Sequence, residues 1–219
     1  VLARGRTPQR GVSTVEFHIV ALFALLPLCF GILQVAVLLV DNHHIDYAAY
    51  MAARRGATAQ GDMGAMRNRF ARALTALDID AATPLDRGNV PTRVAATYAR
   101  VIQDVTLHAR FRLLAPSPTA QADFAVNREG VRVIPNDALA LRPAAAGARS
   151  GLSLQEANVL RLEINYCRPL IVPLVRELLL LTLRTIDADP WHQRCYAAGR
   201  VPIRSEGIAA MQSDFRVTS

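Results

Sequence analysis

The sequence predicts an α+β fold: one long N-terminal transmembrane helix followed by a small antiparallel-sheet domain with short helices. Three observations carry this. Phe17 to Val40 runs without a formal charge. Met63, Met66, Phe70, Leu74 and Leu77 recur at helical spacing. Further along, apolar and polar residues alternate with a period of two, most clearly from Leu160 to Tyr166.

Composition narrows the function classes. The chain has 219 residues, of which 52% are hydrophobic and 20% charged. That is too apolar for a disordered protein, and the length suits one domain with an appendage or two small domains. An aromatic content of 6% argues against a stacking platform for single-stranded nucleic acid. The formal net charge is +7, and every basic side chain other than histidine is an arginine. No G-x-S-x-G elbow, P-loop or H-E-x-x-H motif occurs. His43 and His44 are adjacent, so on a helix they point apart and do not chelate as an i, i+4 pair does. The sequence offers no residue we would assign to catalysis, to a cofactor or to a metal.

The charge-free run is long enough to span, since a bilayer core takes about 20 apolar residues in a helix. A cleaved secretory signal has an apolar region of only about 7–15 residues. After the run, DNHHIDYAAYMAARRGA contains no Gly or Pro before Gly56. One helix is therefore expected from about Val12 to Ala57, a single span over residues 17–40 continuing as a stalk. Arg4, Arg6 and Arg10 precede the span, while Asp41 and Asp46 follow it. The positive-inside rule then puts the N-terminus in the cytoplasm. Pro27 and Gly31 sit mid-span, read either as a kink that neighbouring helices tolerate or as the ordinary enrichment of Gly and Pro in spans, and Cys29 reads as an apolar filler.

Glu16 does not suit a plain anchor. A carboxylate at the edge of the hydrocarbon is unfavourable without a partner. The local text is R-G-V-S-T-V-E-F, leading straight into the apolar helix. It resembles the processing site of type IV prepilins. More specifically, RGVSTVEFHIVALFALLPLCFGILQ is similar to the TadE-like minor pilins or pseudopilins of the tight-adherence (Tad, Flp) pilus. AARRGA (Ala52 to Ala57) resembles the family's helix end, and VPIRSEGIAAMQSD (Val201 to Asp214) its closing segment. The resemblance implies a prepilin leader over 1–11, cut between Gly11 and Val12 by a prepilin peptidase. It further implies a transmembrane helix and stalk over 12–59, and a periplasmic or extracellular α+β domain over 60–219, in a pilin-like arrangement. Glu16 and Phe17 become assembly residues, with Glu16 pairing with the new Val12 amine of a neighbouring subunit. The implied partners are other pilins and pseudopilins, the pilus platform proteins and the peptidase, at the bacterial inner membrane. The implied role is pilus assembly for surface adhesion and biofilm formation. Physics agrees in two respects: glycine lets a protease approach the backbone, and an ion pair relieves a carboxylate held away from water.

The remainder reads as structure. Asp62 is an expected N-cap for the Met63–Leu77 helix, whose Arg67, Arg69 and Arg72 form a solvated basic side. Val105, Leu107, Ala109, Phe111 and Leu113 alternate as a strand, and Ala122, Phe124 and Val126 similarly. Asn127 to Gly130 signals a turn, with Val131 to Ile134 returning as hairpin partner. Residues 144–151 read as a mobile loop, and Asp78 and Asp80 as solvated. Leu170 to Ile186 is apolar, but Pro173, Arg176 and Glu177 argue against a second span, leaving a buried or membrane-apposed helix. Cys167 and Cys195 would pair in an oxidising compartment. The rival, a metal site on His192 and Cys195, falls short of a zinc ligand set. The competing function is a membrane-anchored module whose arginines bind DNA or anionic surface polymers. Arginines clustered on one face would favour that reading; arginines spread and paired with acids would not.

Overall fold

The computed structural model describes residues 14–78 and 89–217. Arg4, Arg6, Arg10, Gly11, Val12 and Asp80 lie outside the described residues. The chain opens with α1 (Thr14–Val20), a π-helical turn (Ala21–Leu25) and α2 (Leu26–Thr58), which form one continuous helix. In the π turn the Leu26 N–H donates to the Ala21 carbonyl. Pro27 has no N–H to offer the Phe23 carbonyl, and the wider turn absorbs that loss directly ahead of it. From Glu16 to Thr58 the helix is long and apolar enough to cross a membrane.

The half expected to stand out as a stalk is instead the spine of the folded body. Ile45, Ala48, Ala49, Ala52, Ala53, Gly56 and Ala57 form a buried stripe at helical spacing. Their small side chains let other elements approach the helix closely. After a turn through Gly61, α3 (Met63–Asp78) folds back on α2 with Met66, Phe70 and Leu74 fully buried. Asp62 caps it as expected, accepting from the Gly64 and Ala65 N–H groups at 3.0 and 3.2 Å.

Next come α4 (Val90–His108) and β1 (Ala109–Ala115). The strand expected from Val105 therefore begins four residues late. Val105 belongs to the buried helical stripe Thr97, Val101, Val105, while Leu107 is exposed. Two periodicities meet at residue 108 and mimic one alternation. A second correction concerns Ala122 and Phe124, which lie in α5 (Pro118–Phe124). Ser117 caps that helix, accepting from the Ala120 N–H at 3.2 Å, and Pro118 suits its first turn. The hairpin forms with Val131 to Ile134 as the expected return strand β3, but its turn is shorter than expected: Asn127 and Arg128 belong to β2 (Val126–Arg128) and pair with β3, leaving Glu129 and Gly130 to turn. A 3₁₀ turn (Leu139–Leu141) leads to a loop over residues 144–151. Asp123 holds this loop through the Arg149 and Ser150 N–H groups at 3.0 and 2.7 Å.

The chain closes with α6 (Leu154–Ala157), β4 (Val159–Pro169), α7 (Pro173–Ile186), α8 (Pro190–Ala197), β5 (Arg200–Ala210) and β6 (Phe215–Arg216). Strands β1, β4 and β5 form an antiparallel sheet with β4 in the middle; β2, β3 and β6 form a second. The central place of β4 explains its clean alternation: Leu160, Leu162, Ile164 and Tyr166 all point into the core. There Phe70 meets Phe111 and Tyr166 edge to face, at 5.5 and 6.0 Å between ring centroids.

Candidate membrane anchor and assembly helix

The N-terminal helix changes character along its length. Glu16 is exposed near the start of α1. Phe17, Phe23, Leu28, Ile32 and Leu39 are more than half exposed, so this part of the helix meets almost nothing of its own chain. The buried stripe begins with two polar residues toward the C-terminal end of the apolar run. Gln34 is fully buried, and its Oε1 accepts from the Val172 N–H at 2.9 Å. Two turns on, buried Asp41 accepts from Arg168 Nε at 3.0 Å. Arg168 also reaches Asp78 of α3, Nη1 to Oδ1 at 3.0 Å. One guanidinium thus ties α2, β4 and α3 together. Burial works against its charge, but the two carboxylates outweigh it, and the Arg168 pKa is raised. Asp78 is therefore an ion-pair member and not the solvated residue expected.

The far end of α2 is fastened to the C-terminal strand. Gly207 of β5 lies against the Ala49 carbonyl with no room for a Cβ. The Ala57 carbonyl accepts from the Gln212 N–H and from the Ser213 hydroxyl, both at 3.0 Å. The Arg216 N–H donates to the Gln60 carbonyl at 2.9 Å. AARRGA and VPIRSEGIAAMQSD, far apart in sequence, are thus in direct contact. The C-terminal segment satisfies carbonyls that the end of a helix leaves open.

Residues 167–200 form a third junction. Cys167 and Cys195 are joined by a disulfide, with Cα atoms 5.5 Å apart. His192, the rival metal ligand, bonds through Nδ1 to Asp187 Oδ2 at 2.8 Å. The Tyr196 hydroxyl donates to the same oxygen at 2.7 Å. Tyr196, the neighbouring backbone and His192 together hold the Asp187 carboxyl down at about 2. Nearby, the Tyr166 hydroxyl donates to Asp104, which Arg200 also contacts at 2.7 Å. Burial opposes ionisation of Asp104, but these bonds prevail and its pKa is lowered. Replacing both Cys167 and Cys195 with alanine is expected to lower stability by about 3 kcal/mol in the chain-entropy view. Denaturant unfolding checks this, and an unchanged midpoint would show that the cross-link contributes nothing.

A charge-free exposed helix with an acid at its edge, built at its other end into an α+β body, now has a counterpart. Residues 11–54 match the family model of the TadE-like proteins. The match points to a protein associated with the Tad pilus. No curated protein and no solved structure matches the chain.

The TadE-like segment contains Glu16 and Phe17, and it also contains Gln34 and Asp41, whose roles the sequence reading missed. The signal was present: the two lie seven residues apart, on the face that continues into the alanine stripe. Their partners, Val172 and Arg168, stand beyond the segment and bear no local mark. Beyond the TadE-like segment many arginines are matched with acids. Arg112 and Arg204 contact Glu163 at 3.0 and 2.6 Å, Arg161 contacts Glu206 at 2.6 Å, and Arg128 contacts Asp137 and Asp214 at 2.8 and 2.9 Å.

Proposed function

We propose that this chain is a minor pilin or pseudopilin of a Tad-type pilus, made as a precursor and held at the bacterial inner membrane until assembly. The observation that carries the reading is the TadE-like helix itself: exposed and apolar where it would cross the membrane, acidic at its first turn, and fixed to the body through Arg168 and Gly207. Residues 1–11 serve as leader, 12–59 as span and spine, and 60–219 as the periplasmic domain. The arginine head keeps the N-terminus in the cytoplasm, and the disulfide supports an oxidising compartment for the body. Glu16 pairs with the Val12 amine of a neighbouring subunit, and Phe17 joins the same helix contact. The partners are other pilins, the platform proteins and the prepilin peptidase. The outcome is pilus assembly, surface adhesion and biofilm formation. The pairing of arginines with acids weighs against a polyanion-binding module.

The test is to replace Gly11 and Glu16 separately in cells carrying the whole system. Mass spectrometry of the extracted wild-type protein should find Val12 at the N-terminus. Gly11→Val should leave the leader attached. Glu16→Gln should be trimmed normally but should abolish piliation. Normal fibres from Glu16→Gln, or an untrimmed wild-type protein beside an active peptidase, would overturn the proposal.

A further inference from the structure

Helix α7 has two apolar sides, only one of which the protein covers. On the covered side Leu180 is buried against Leu170 and Tyr196, with Leu38 of α2 packed on the same cluster. Arg184 is turned back onto the body, where Nη2 donates to the Tyr196 carbonyl at 2.6 Å. On the other side Leu178, Leu181 and Ile186 are 72%, 65% and 73% exposed. Thr182 and Thr185 share this side, but neither hydroxyl requires water. Thr182 donates to the Leu178 carbonyl at 3.0 Å, and Thr185 to the Thr182 carbonyl at 2.6 Å. The charged pair Arg176 and Glu177, closed on itself at 2.8 Å, lies at the N-terminal end of α7, with Glu177 exposed one turn ahead of Leu181. From Leu178 to Ile186, then, the one charge is that of Arg184, exposed but with Nη2 tied to the body, and the rest of the outward face carries nothing that demands hydration.

The position of α7 says what covers that face. The bond from the Val172 N–H to Gln34 places the start of α7 at the level of Gln34, inside the charge-free run. At this level Leu33, Val35, Leu39 and Val40 of α2 are each more than half exposed, as is Ile171 just ahead of α7. The uncovered side of α7 therefore continues the apolar surface of the spanning helix. With 14 residues, α7 is too short to cross a bilayer that takes about 20. It suits a segment that enters one leaflet and stays there.

We propose that α7 is a second membrane-contacting element. Ile171, Leu178, Leu181 and Ile186 lie among the lipid chains of the leaflet from which α2 emerges. The protein is then held by a span and an interfacial helix joined through Gln34, and both must leave lipid when the subunit is extracted. This rests on reading the N-terminal helix as a span.

The test uses the full chain in phosphatidylcholine–phosphatidylglycerol vesicles, with Cys29→Ser and single spin-labelled cysteines replacing Phe23, Leu181 or Arg110. Collision with oxygen is compared with collision with a water-soluble nickel chelate. Labels at Leu181 and Phe23 should favour oxygen severalfold, while the label at Arg110, on an exposed position of β1, should favour nickel. A lipid-like Phe23 site beside a water-like Leu181 site would overturn the α7 proposal and leave the span standing. A water-like Phe23 site would overturn both. Exclusion of both reagents at Leu181, with dipolar broadening between labels, would show a second copy covering the face and would also overturn it.

Discussion

Gly207→Ala is expected to destabilise the protein by about 3 kcal/mol or more, and Gly207→Val to prevent folding. The new Cβ would run into the carbonyl of Ala49 and come within 3.0 Å of the Ala53 Cβ. A flexible side chain in that place would turn aside, but a helix backbone whose own ladder must stay intact does not. Relief would require α2 and β5 to separate, opening voids along a stripe built from alanines. Since typical domains hold only about 5–15 kcal/mol in total, the effect should be plain in thermal unfolding followed by circular dichroism in detergent. The neighbour Ile208 supplies the control, because it is 52% exposed on the opposite side of β5. Ile208→Ala should change stability by about 0.5 kcal/mol or less. Equal behaviour of the two variants would mean that α2 does not press on the sheet at this point.

What the sequence revealed and what it hid divide by the range of the interaction. The N-terminal apolar helix declared itself because a contiguous stretch, Phe17 to Val40, carries no charge. The Met63–Leu77 helix and the β4 strand declared themselves because one side of each faces a core, which imprints the period of the backbone. Glu16 stood out as a charge at an apolar edge, although the cleavage site beside it lies outside the described residues. The errors came where two local signals abut, as at His108, or where a cap outranks an alternation, as at Ser117. Strand β5 carried little hydrophobic alternation, because its inward places at Ser205 and Gly207 hold small residues, Gly207 admitting the α2 backbone, while Ile208 faces outward. Asp78 and Arg168 stayed hidden for a different reason. Their pairing depends on α3 and β4 being brought to the same side of α2, and no spacing records that. The apolar run from Leu170 to Ile186 was legible as a helix, but its depth beside α2 was fixed only by the Val172–Gln34 bond.

Arg168 offers the sharpest test of how the body is held to its anchor. Arg168→Met should cost about 3–5 kcal/mol, because it leaves Asp41 as an uncompensated charge in a buried site. Asp41→Leu alone should cost less, since Arg168 keeps the partly exposed Asp78 as a partner. Together, Arg168→Met with Asp41→Leu should recover much of the loss, because a well-packed apolar pair removes both charges from a place where each is poorly solvated. The sign of the coupling in a double-mutant cycle is thus fixed in advance: the double variant must be more stable than Arg168→Met. Denaturant unfolding of all four proteins in the same detergent decides it. If the double variant is less stable than either single one, the guanidinium acts through packing of its stem and not through Asp41. Recovered stability also separates two roles in the cell. A double variant that folds but fails to support piliation would assign the charge pair to assembly, whereas normal piliation would confine it to fixing α2 in the body.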